Sequence, residues 1–361
     1  MKVLILGFTK LKYMPYMHFY LEQIDNGSNE IHILYWDRDS EPDAERKQNI
    51  QYYPYKKCMS DAIPLAKKIF PILEYGKFAR RTIHKINPDF LIILHSTTAF
   101  TIKGLLSGKY KNKYIFDFRD LTYEKYGFYK KAVKTIVENS CVTFTSSDGF
   151  RFALPECDKV ITSHNILNNA LELHVNMPAK KKNKEKLRVA FWGLLRGYEI
   201  NKKIISTLCE DGRFFVNYYG RAQGKMQDLM DEMSKKYANF QFHGVYKRLD
   251  TLEFALHTDL LLNIYKSGGT EQHAMGNKYY DGIVYKIPQL CSENTFMGER
   301  CENRGVGLAC NPYDEDFAQK VVDYYNSLDF EVFDGNCTKE LMLVLDQVRI
   351  GKNIIKKIVS A

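Results

Sequence analysis

The sequence lacks the patterns that mark several common classes of protein. Its eight cysteines include no Cys-x-x-Cys pair, which argues against a zinc ribbon or a disulfide framework and favours reduced, isolated thiols. No apolar run reaches the length of a membrane-spanning helix. The first apolar segment, Lys2–Gly7, is too short and too quickly polar for a secretory signal. We therefore expect a protein that is made and kept in the cytoplasm.

Two further absences narrow the functional classes. The loop after Lys2–Gly7 has no Gly-x-Gly-x-x-Gly pattern, so a dinucleotide-dependent dehydrogenase is not indicated. No RNA-binding or zinc-finger signature accompanies the 25 tyrosines, and we expect no nucleic-acid partner. The formal net charge of +9 predicts a basic surface, which suits anionic lipid or a phosphorylated substrate.

Alternating apolar strands and helical patterns occur in both halves of the chain. At 361 residues the chain is long enough for two domains. Buried strands such as Lys2–Gly7, each followed by a helical pattern, predict an α/β protein with two Rossmann-like domains that face a cleft. The basic, polar stretch 178–186 is typical of a linker. We place the first domain at 1–175 and the second at 186–338.

The segment from Asp259 to Cys291 carries the most informative polar pattern. A short apolar run is followed by a polar loop and then by Asn277, the expected N-cap of a helix. Such loops lie at the carboxyl edge of a parallel sheet, where open α/β folds bind ligands. The helix N–H groups and Lys278 would hold an anion, and Asp281 would accept both hydroxyls of a ribose. The segment predicts a nucleotide diphosphate pocket; a capped structural helix is the alternative.

A family resemblance rests on these residues. Asn277–Asp281, followed by Pro288, resembles the Asn-Lys-x-x-Glu…Gly-x-Pro element of GT-B glycosyltransferases, in particular the retaining family that builds bacterial capsules and lipopolysaccharide. In that family the acidic residue holds the ribose of a sugar nucleotide. Here Asp281 replaces the usual glutamate, and Lys286 stands where a glycine normally precedes the Ile-Pro pair. Glu271 is the candidate for the family's upstream glutamate, at a longer spacing.

The segment 187–202 resembles the first strand and glycine loop of the family's carboxyl domain, which lies against the donor diphosphate. Gly193 would allow close approach to the phosphates, and Arg196 and Lys202 would neutralise them; a simple β-turn is the alternative. No Asp-x-Asp metal site occurs on a sugar-nucleotide loop. We therefore expect a metal-independent reaction with no cofactor, in which the nucleoside-diphosphate sugar is the donor substrate.

Two polar side chains follow strands of the first half. His95 comes directly after the predicted strand 87–94 and would contact the acceptor or the transferred sugar; a hydrogen-bonded structural histidine is the alternative. Asp117–Asp120 resembles the Asp-x-Arg-Asp strand end of many capsule glycosyltransferases, where Asp120 would orient an acceptor hydroxyl; an internal ion pair is the alternative. The resemblance implies retention of configuration, and in an inverting enzyme Asp120 or His95 would be the general base.

Residues 62–86 combine an apolar face with several cations, and Pro71 is expected to split them into two helical pieces. This segment would contact an anionic membrane or present an ordinary solvated face. The resemblance also implies that the last helix, 340–361, crosses back to the first domain.

The combined expectation is a hexosyltransferase that uses a nucleotide-sugar donor. Its acceptor would be a hydroxyl of a lipid-linked oligosaccharide in capsule, O-antigen or exopolysaccharide synthesis, with peripheral attachment to the inner face of the cell membrane. Two alternatives remain. One is a non-catalytic sugar-nucleotide-binding subunit that assists a partner transferase, and the other is a sugar-nucleotide epimerase of the same two-domain build.

Overall fold

The chain divides into two units, one formed by Met1–His164 with Asp346–Ala361 and the other by Asn165–Leu345. The computed structural model describes residues 1–60, 63–183, 185–266 and 268–360, without the side chains of Leu65 and Ser360. Four residues of the predicted segments therefore lie outside the described part, namely Ala62, Lys184, Ser267 and Ala361. No helix in the described ranges is long and apolar enough to cross a membrane.

The first unit is built on a parallel sheet of seven strands in the order β3-β2-β1-β4-β5-β6-β7. The strands are β1 Lys2–Leu6, β2 Glu30–Asp37, β3 Ile50–Lys56, β4 Phe90–Leu94, β5 Tyr114–Phe118, β6 Val142–Thr145 and β7 Val160–Thr162. The α-helices are α1 His18–Ile24, α2 Leu65–Ile86, α3 Ser96–Thr101, α4 Lys103–Ser107 and α5 Gly127–Asn139. The central strands β4 and β5 are buried along their whole length, as expected where helices cover both faces of a sheet.

Helix α2 corrects the expectation that Pro71 splits this segment. The helix runs unbroken through Pro71. After the proline, Ile72 and Tyr75 are buried, and Tyr75 stacks on Trp36 of β2 with ring centres 5.2 Å apart, which holds this part of the helix against the sheet. The burial of this face outweighs the one backbone hydrogen bond that proline removes.

The second unit contains a parallel sheet of six strands in the order β10-β9-β8-β11-β12-β13. The strands are β8 Leu187–Leu194, β9 Phe214–Arg221, β10 Phe240–Gly244, β11 Leu260–Asn263, β12 Gln289–Ser292 and β13 Gly307–Cys310. The α-helices are α6 Ala170–Asn176, α7 Tyr198–Asp211, α8 Lys225–Lys236, α9 Thr251–Leu256, α10 Asn277–Val284, α11 Phe296–Asn303, α12 Phe317–Ser327 and α13 Phe330–Ser360. Short 3-10 helices precede α9, at Arg248–Asp250, and α10, at Gly269–Gln272.

The chain changes unit earlier than residue 175. Helix α6 belongs to the second unit because His174, buried on that helix, bonds the carbonyl of Ile283 through Nδ1 at 3.0 Å and Thr338 Oγ1 through Nε2 at 2.9 Å. At the other end, α13 contributes its residues from Asp346 onward to the first unit. There Gln347 pairs with His164, and Lys352 donates to Glu22 at 2.8 Å.

Candidate functional site

A buried lysine lies at the start of α10. Lys278 is 7% exposed, and its Nζ lies 3.8 Å from the centre of the Phe191 ring and donates to the Tyr265 hydroxyl at 2.6 Å. Burial lowers the pKa of Lys278 to about 7, although the more distant charges of Asp281 and Cys291 oppose the shift. Within the described chain, Lys278 forms no ion pair to offset the cost of burying its charge. An anion placed at this ammonium would restore its charge.

The carboxyl end of β8 and the turn that follows it pass close to this ammonium. Gly193 has a φ of 128°, a conformation that favours glycine, and a Cβ built there would lie 4.0 Å from Lys278 Nζ. The chain then reaches Arg196, which is exposed, and Gly197, which is the N-cap of α7. Buried Asn201 holds this turn by donating to the carbonyls of Arg196 at 2.7 Å and Gly197 at 2.9 Å. The predicted glycine loop is thus a fixed turn beside Lys278.

Lys202, the other predicted phosphate contact, is on the second turn of α7. Its Nζ lies 5.7 Å from the centre of the Tyr198 ring, with the side chain partly exposed. The structure therefore places Lys202 against its own helix, whereas Arg196 and Lys278 belong to the turn and the helix start.

Asp281 is buried and already has partners within the chain. Its Oδ2 accepts hydrogen bonds from Trp192 Nε1 at 2.8 Å and from Arg248 Nη1 at 3.0 Å, and its Oδ1 accepts a second bond from Arg248. The Trp192 side chain is buried, whereas that of Arg248 is 45% exposed. The carboxylate that the sequence assigns to a ribose is therefore held by a bidentate arginine and an indole.

The helix start differs from the expectation by one residue. Asn277 is the first residue of α10 rather than its N-cap; Gly276 occupies that position and makes no side-chain cap bond. The exposed Asn277 side chain instead accepts from Asn165 Nδ2 at 2.9 Å. Glu271 lies exposed on the 3-10 helix that precedes this start.

Lys286 stands where the resembled sequence pattern has a glycine. The residue has a φ of 53°, in the left-handed region that glycine adopts most readily. Its ammonium pairs with Asp334 on α13 at 2.9 Å. Lys286 thus has a backbone conformation in which a glycine would be less strained.

In the first unit, His95 follows β4 as the N-cap of α3 and has an unusual backbone conformation. Its φ of 114° and ψ of 135° are rare for a residue with a side chain. The imidazole stacks on Phe8 with ring centres 4.8 Å apart, and Nδ1 accepts the N–H of Thr97 at 3.1 Å. A neutral His95 therefore carries its proton on Nε2, which makes that nitrogen a hydrogen-bond donor.

Asp117–Asp120 contains both of the arrangements considered from sequence. Asp117 is fully buried and accepts from Arg119 Nε at 3.0 Å, and burial raises the pKa of Asp117. The Arg119 guanidinium lies 4.4 Å from the centre of the Tyr16 ring. The internal ion pair is present, and Asp120 beyond it is exposed at the carboxyl edge of the sheet.

Several residues of these sites were not predicted. Trp192 and Phe191 immediately precede Gly193, and an aromatic pair before a glycine turn is a usable signal. Asn201 follows the turn at the spacing expected for a side chain that returns to bond the backbone. Arg248 lies in a distant turn, and no local pattern connects it with Asp281. In the described ranges, no group of three His, Cys, Asp or Glu side chains could hold a metal ion.

No protein-family model and no curated protein matches the sequence. Solved structures match along its whole length. The sucrose-phosphate synthase of Thermosynechococcus elongatus aligns with a TM-score of 0.70 and 10% identity over 100% of both chains. A glycosyltransferase of Rickettsia africae aligns with a TM-score of 0.66 and 14% identity over 99% of both. Anabaena HepE, in complex with UDP-glucose, aligns with a TM-score of 0.67 and 13% identity over 100% of both.

The chain has the GT-B fold. This confirms the predicted class, with two Rossmann-like units that each contain a parallel sheet. In each unit the candidate site residues lie at the carboxyl edge of the parallel sheet. His95 and Asp120 follow strands of the first sheet; in the second, Gly193 lies at the carboxyl end of β8, and Arg196, Lys278 and Asp281 follow strands. Identities of 10 to 14% establish the fold alone.

Proposed function

We propose that the chain is a glycosyltransferase that moves a sugar from a nucleoside-diphosphate sugar to a hydroxyl of an oligosaccharide acceptor. The observation that carries this proposal is the buried Lys278 ammonium at the start of α10, with a pKa lowered to about 7. A diphosphate at this position would gain the lysine charge and the N–H groups of the helix start.

The turn at Gly193 supports the same assignment. Its backbone lies close to Lys278 Nζ without an intervening side chain, so phosphate oxygens could approach both groups. Arg196, exposed on this turn, supplies a second positive charge. When the bond between the sugar and the diphosphate breaks, the leaving diphosphate takes the bonding electrons. Lys278, Arg196 and the helix N–H groups would stabilise that charge by preorganised electrostatics.

The ribose assignment depends on Arg248. Asp281 can accept ribose hydroxyls only if Arg248, 45% exposed in its side chain, releases the carboxylate. We expect Asp281→Ala to weaken donor binding about tenfold, since a buried charged acceptor is lost. Arg248→Met should leave affinity unchanged or raise it. If Arg248→Met weakens titrated binding as much as Asp281→Ala, the arginine contacts the nucleotide and the ribose role of Asp281 is wrong.

On the first unit, we assign acceptor or sugar contact to His95 and Asp120. The Nε2–H of neutral His95 is suited to donate to a sugar oxygen, since Nδ1 is engaged by Thr97. In an inverting reaction Asp120 is then the better base for the acceptor hydroxyl. The family resemblance supports retention, a hexosyl donor, a reaction without metal, and a lipid-linked acceptor in capsule, O-antigen or exopolysaccharide assembly. HepE, of like fold, is described with UDP-glucose.

A single experiment separates this function from its two alternatives. Purified protein is incubated with a panel of sugar nucleotides, with and without a bacterial lipid extract, and products are followed by mass spectrometry. A transferase releases nucleoside diphosphate and glycosylates lipid only when extract is present. An epimerase changes the donor without extract, and a binding subunit changes neither although it binds the donor. Either of the last two results contradicts the proposal.

A further inference from the structure

Two exposed apolar patches lie at the starts of helices in the first unit. On α2, Ile69, Phe70 and Leu73 are 53%, 67% and 52% exposed. At the start of α5, Tyr126 and Phe128 are 38% and 68% exposed and stack with ring centres 6.1 Å apart. Single exposed apolar side chains are common, but adjacent ones on one turn form a patch that marks an interaction surface.

The topology places both patches on one layer of the fold. Helix α3 packs against α2 on one side and α5 on the other. The Phe100 ring of α3 lies 6.3 Å from the Phe128 ring, which links the layer to the second patch. Because the strands are parallel, α2, α3 and α5 all begin at the carboxyl edge of the sheet, where His95 and Asp120 lie.

Basic residues lie on the same two helices as these apolar side chains. Helix α2 carries six basic residues and one carboxylate, Glu74, and that carboxylate already pairs with Lys57. Lys57 also lies 5.8 Å from the centre of the Phe70 ring. The basic residues of α2 are Lys67, Lys68, Lys77, Arg80, Arg81 and Lys85. On α5, Lys130 and Lys131 are exposed close to Phe128.

We propose that this surface, hereafter the basic apolar face, docks on an anionic phospholipid membrane. Ile69, Leu73 and Phe70 offer no hydrogen-bonding group, so they fit acyl chains, while long lysine side chains reach phosphate headgroups without fixed geometry. Two of the three exposed α2 side chains are aliphatic and offer no ring on which a nucleic-acid base could stack, so acyl chains fit this patch better. On the basis of the proposed function, the docked edge would bring His95 and Asp120 to a lipid-linked acceptor.

The test uses the full chain and sedimentation with vesicles. Wild-type protein should pellet with vesicles of phosphatidylcholine and phosphatidylglycerol and remain in solution with phosphatidylcholine alone. Phe70→Glu/Phe128→Glu should lower the partition coefficient at least about tenfold. The matched control is Val332→Glu, which alters an apolar residue 60% exposed on α13 of the second unit. Thermal unfolding checks that each variant is folded.

A second matched pair tests the charges. Lys67→Glu/Lys77→Glu should weaken vesicle binding about tenfold, whereas Lys225→Glu/Lys235→Glu, with the same charge change on exposed positions of α8, should change it little. Equal losses in the two pairs would mean attraction by net charge alone and would overturn the proposal. Binding to a DNA or RNA oligonucleotide without any binding to anionic vesicles would overturn it as well.

Donor binding distinguishes a failure of this inference from a failure of the proposed function. The variants of the basic apolar face should keep wild-type affinity for the sugar nucleotide, since none of them touches the second unit's site. Protein that binds donor but not anionic vesicles removes membrane docking alone. Protein that binds vesicles but no sugar nucleotide leaves docking supported and removes the transferase assignment.

Discussion

The carboxyl edges of the two sheets each contain a buried lysine, and the two lysines differ in their partners. Lys10, after β1, is 3% exposed in its side chain and pairs with Asp37 at 3.1 Å and Asp39 at 2.6 Å. Burial alone would lower the pKa of Lys10, but hydrogen bonds and charges from Asp39 and Asp37 raise it above its ordinary value. Lys278, on α10 at the carboxyl edge of the second sheet, lies among aromatic rings and has a pKa lowered to about 7.

The difference separates a structural lysine from a lysine that suits a ligand. When carboxylates of the same chain pair with a buried ammonium, the charge is neutralised without a ligand. Removal of that lysine leaves the carboxylates unpaired. A buried ammonium without them destabilises the protein unless an external anion binds. The first arrangement predicts a loss of stability on mutation, and the second predicts a loss of binding.

The largest expected effect is on donor binding by Lys278→Met. Removal of the charge at the start of α10 should weaken binding of a sugar nucleotide about 100-fold, or about 2.7 kcal/mol. The same change should raise the melting temperature, because methionine fills the aromatic surround without a buried charge. Calorimetric titration and thermal unfolding measure the two effects. Lys225→Met, at an exposed position of α8, is the control. Unchanged affinity in Lys278→Met contradicts the diphosphate site.

Lys10→Met should show the opposite pattern. Loss of the ammonium leaves Asp37 and Asp39 side by side without their cation, and we expect the first unit to lose about 2 kcal/mol of unfolding free energy. Donor affinity should stay at the wild-type value. Urea unfolding followed by fluorescence checks the first effect. A stable Lys10→Met protein with weakened donor binding would reverse the roles that we give to the two lysines.

The pH dependence of donor binding gives a smaller effect with a definite sign. In the free protein Lys278 loses its proton near pH 7, and a bound diphosphate raises the pKa of Lys278. The complex therefore takes up a proton above pH 7, and the association constant falls by up to about tenfold per pH unit as pH rises from about 7 toward the pKa of the complex. Below pH 7 the affinity is maximal.

The stability of the free protein should rise with pH above 7, whereas the affinity for the donor falls. The unfolded chain keeps the proton of Lys278 to higher pH than the folded chain, so this residue's contribution to stability rises as pH increases above 7. The affinity trend is measured by titration with a sugar nucleotide, whose diphosphate stays ionised in this range, and the stability trend by urea unfolding of the free protein. Lys278→Met should remove both. A flat affinity across this range in the wild-type protein would show that the lysine does not contact the donor charge.

The sequence predicts the strands and helices correctly where the apolar runs are long. The buried runs of β1, β4, β5 and β11 and the glycine turn at Gly193 follow from local composition. Strand β3 was missed because it lies at a sheet edge, carries Pro54 and has little apolar periodicity. Helix α11 was missed because its sequence is polar and glycine-spaced, although Thr295 caps it.

Part of the candidate donor site could also be predicted from the sequence, for a different reason. Lys278 and Asp281 lie in one short segment, so their types and spacing suggested an anion and diol site. Their partners come from other segments: Arg248 is 33 residues from Asp281, and Trp192 is 89 residues away. A local pattern carries no information on such contacts. Only the structure therefore shows that Asp281 is paired with Arg248 and Trp192, whereas Lys278 is buried without an ion-pair partner among the described residues.

The smallest expected effect concerns the strained His95 at the first edge. With a φ of 114°, a Cβ is unfavourable at this position, so His95→Gly should be more stable than His95→Ala by about 1 kcal/mol. Both changes remove the imidazole that stacks on Phe8, so the packing loss is shared and cancels in the comparison. Thermal unfolding of the two variants measures the difference.

Turnover measurements on the same two variants test whether the strained His95 takes part in the reaction. If the Nε2–H of His95 contacts the sugar or the acceptor, both variants should lose turnover about 100-fold while donor affinity, set by Lys278 in the second unit, changes little. Wild-type turnover in His95→Gly would instead assign His95 to the packing around Phe8. In that case Lys10 and His95, both at the carboxyl edge of the first sheet, would have structural roles. Asp120 would then remain as the functional candidate at that edge.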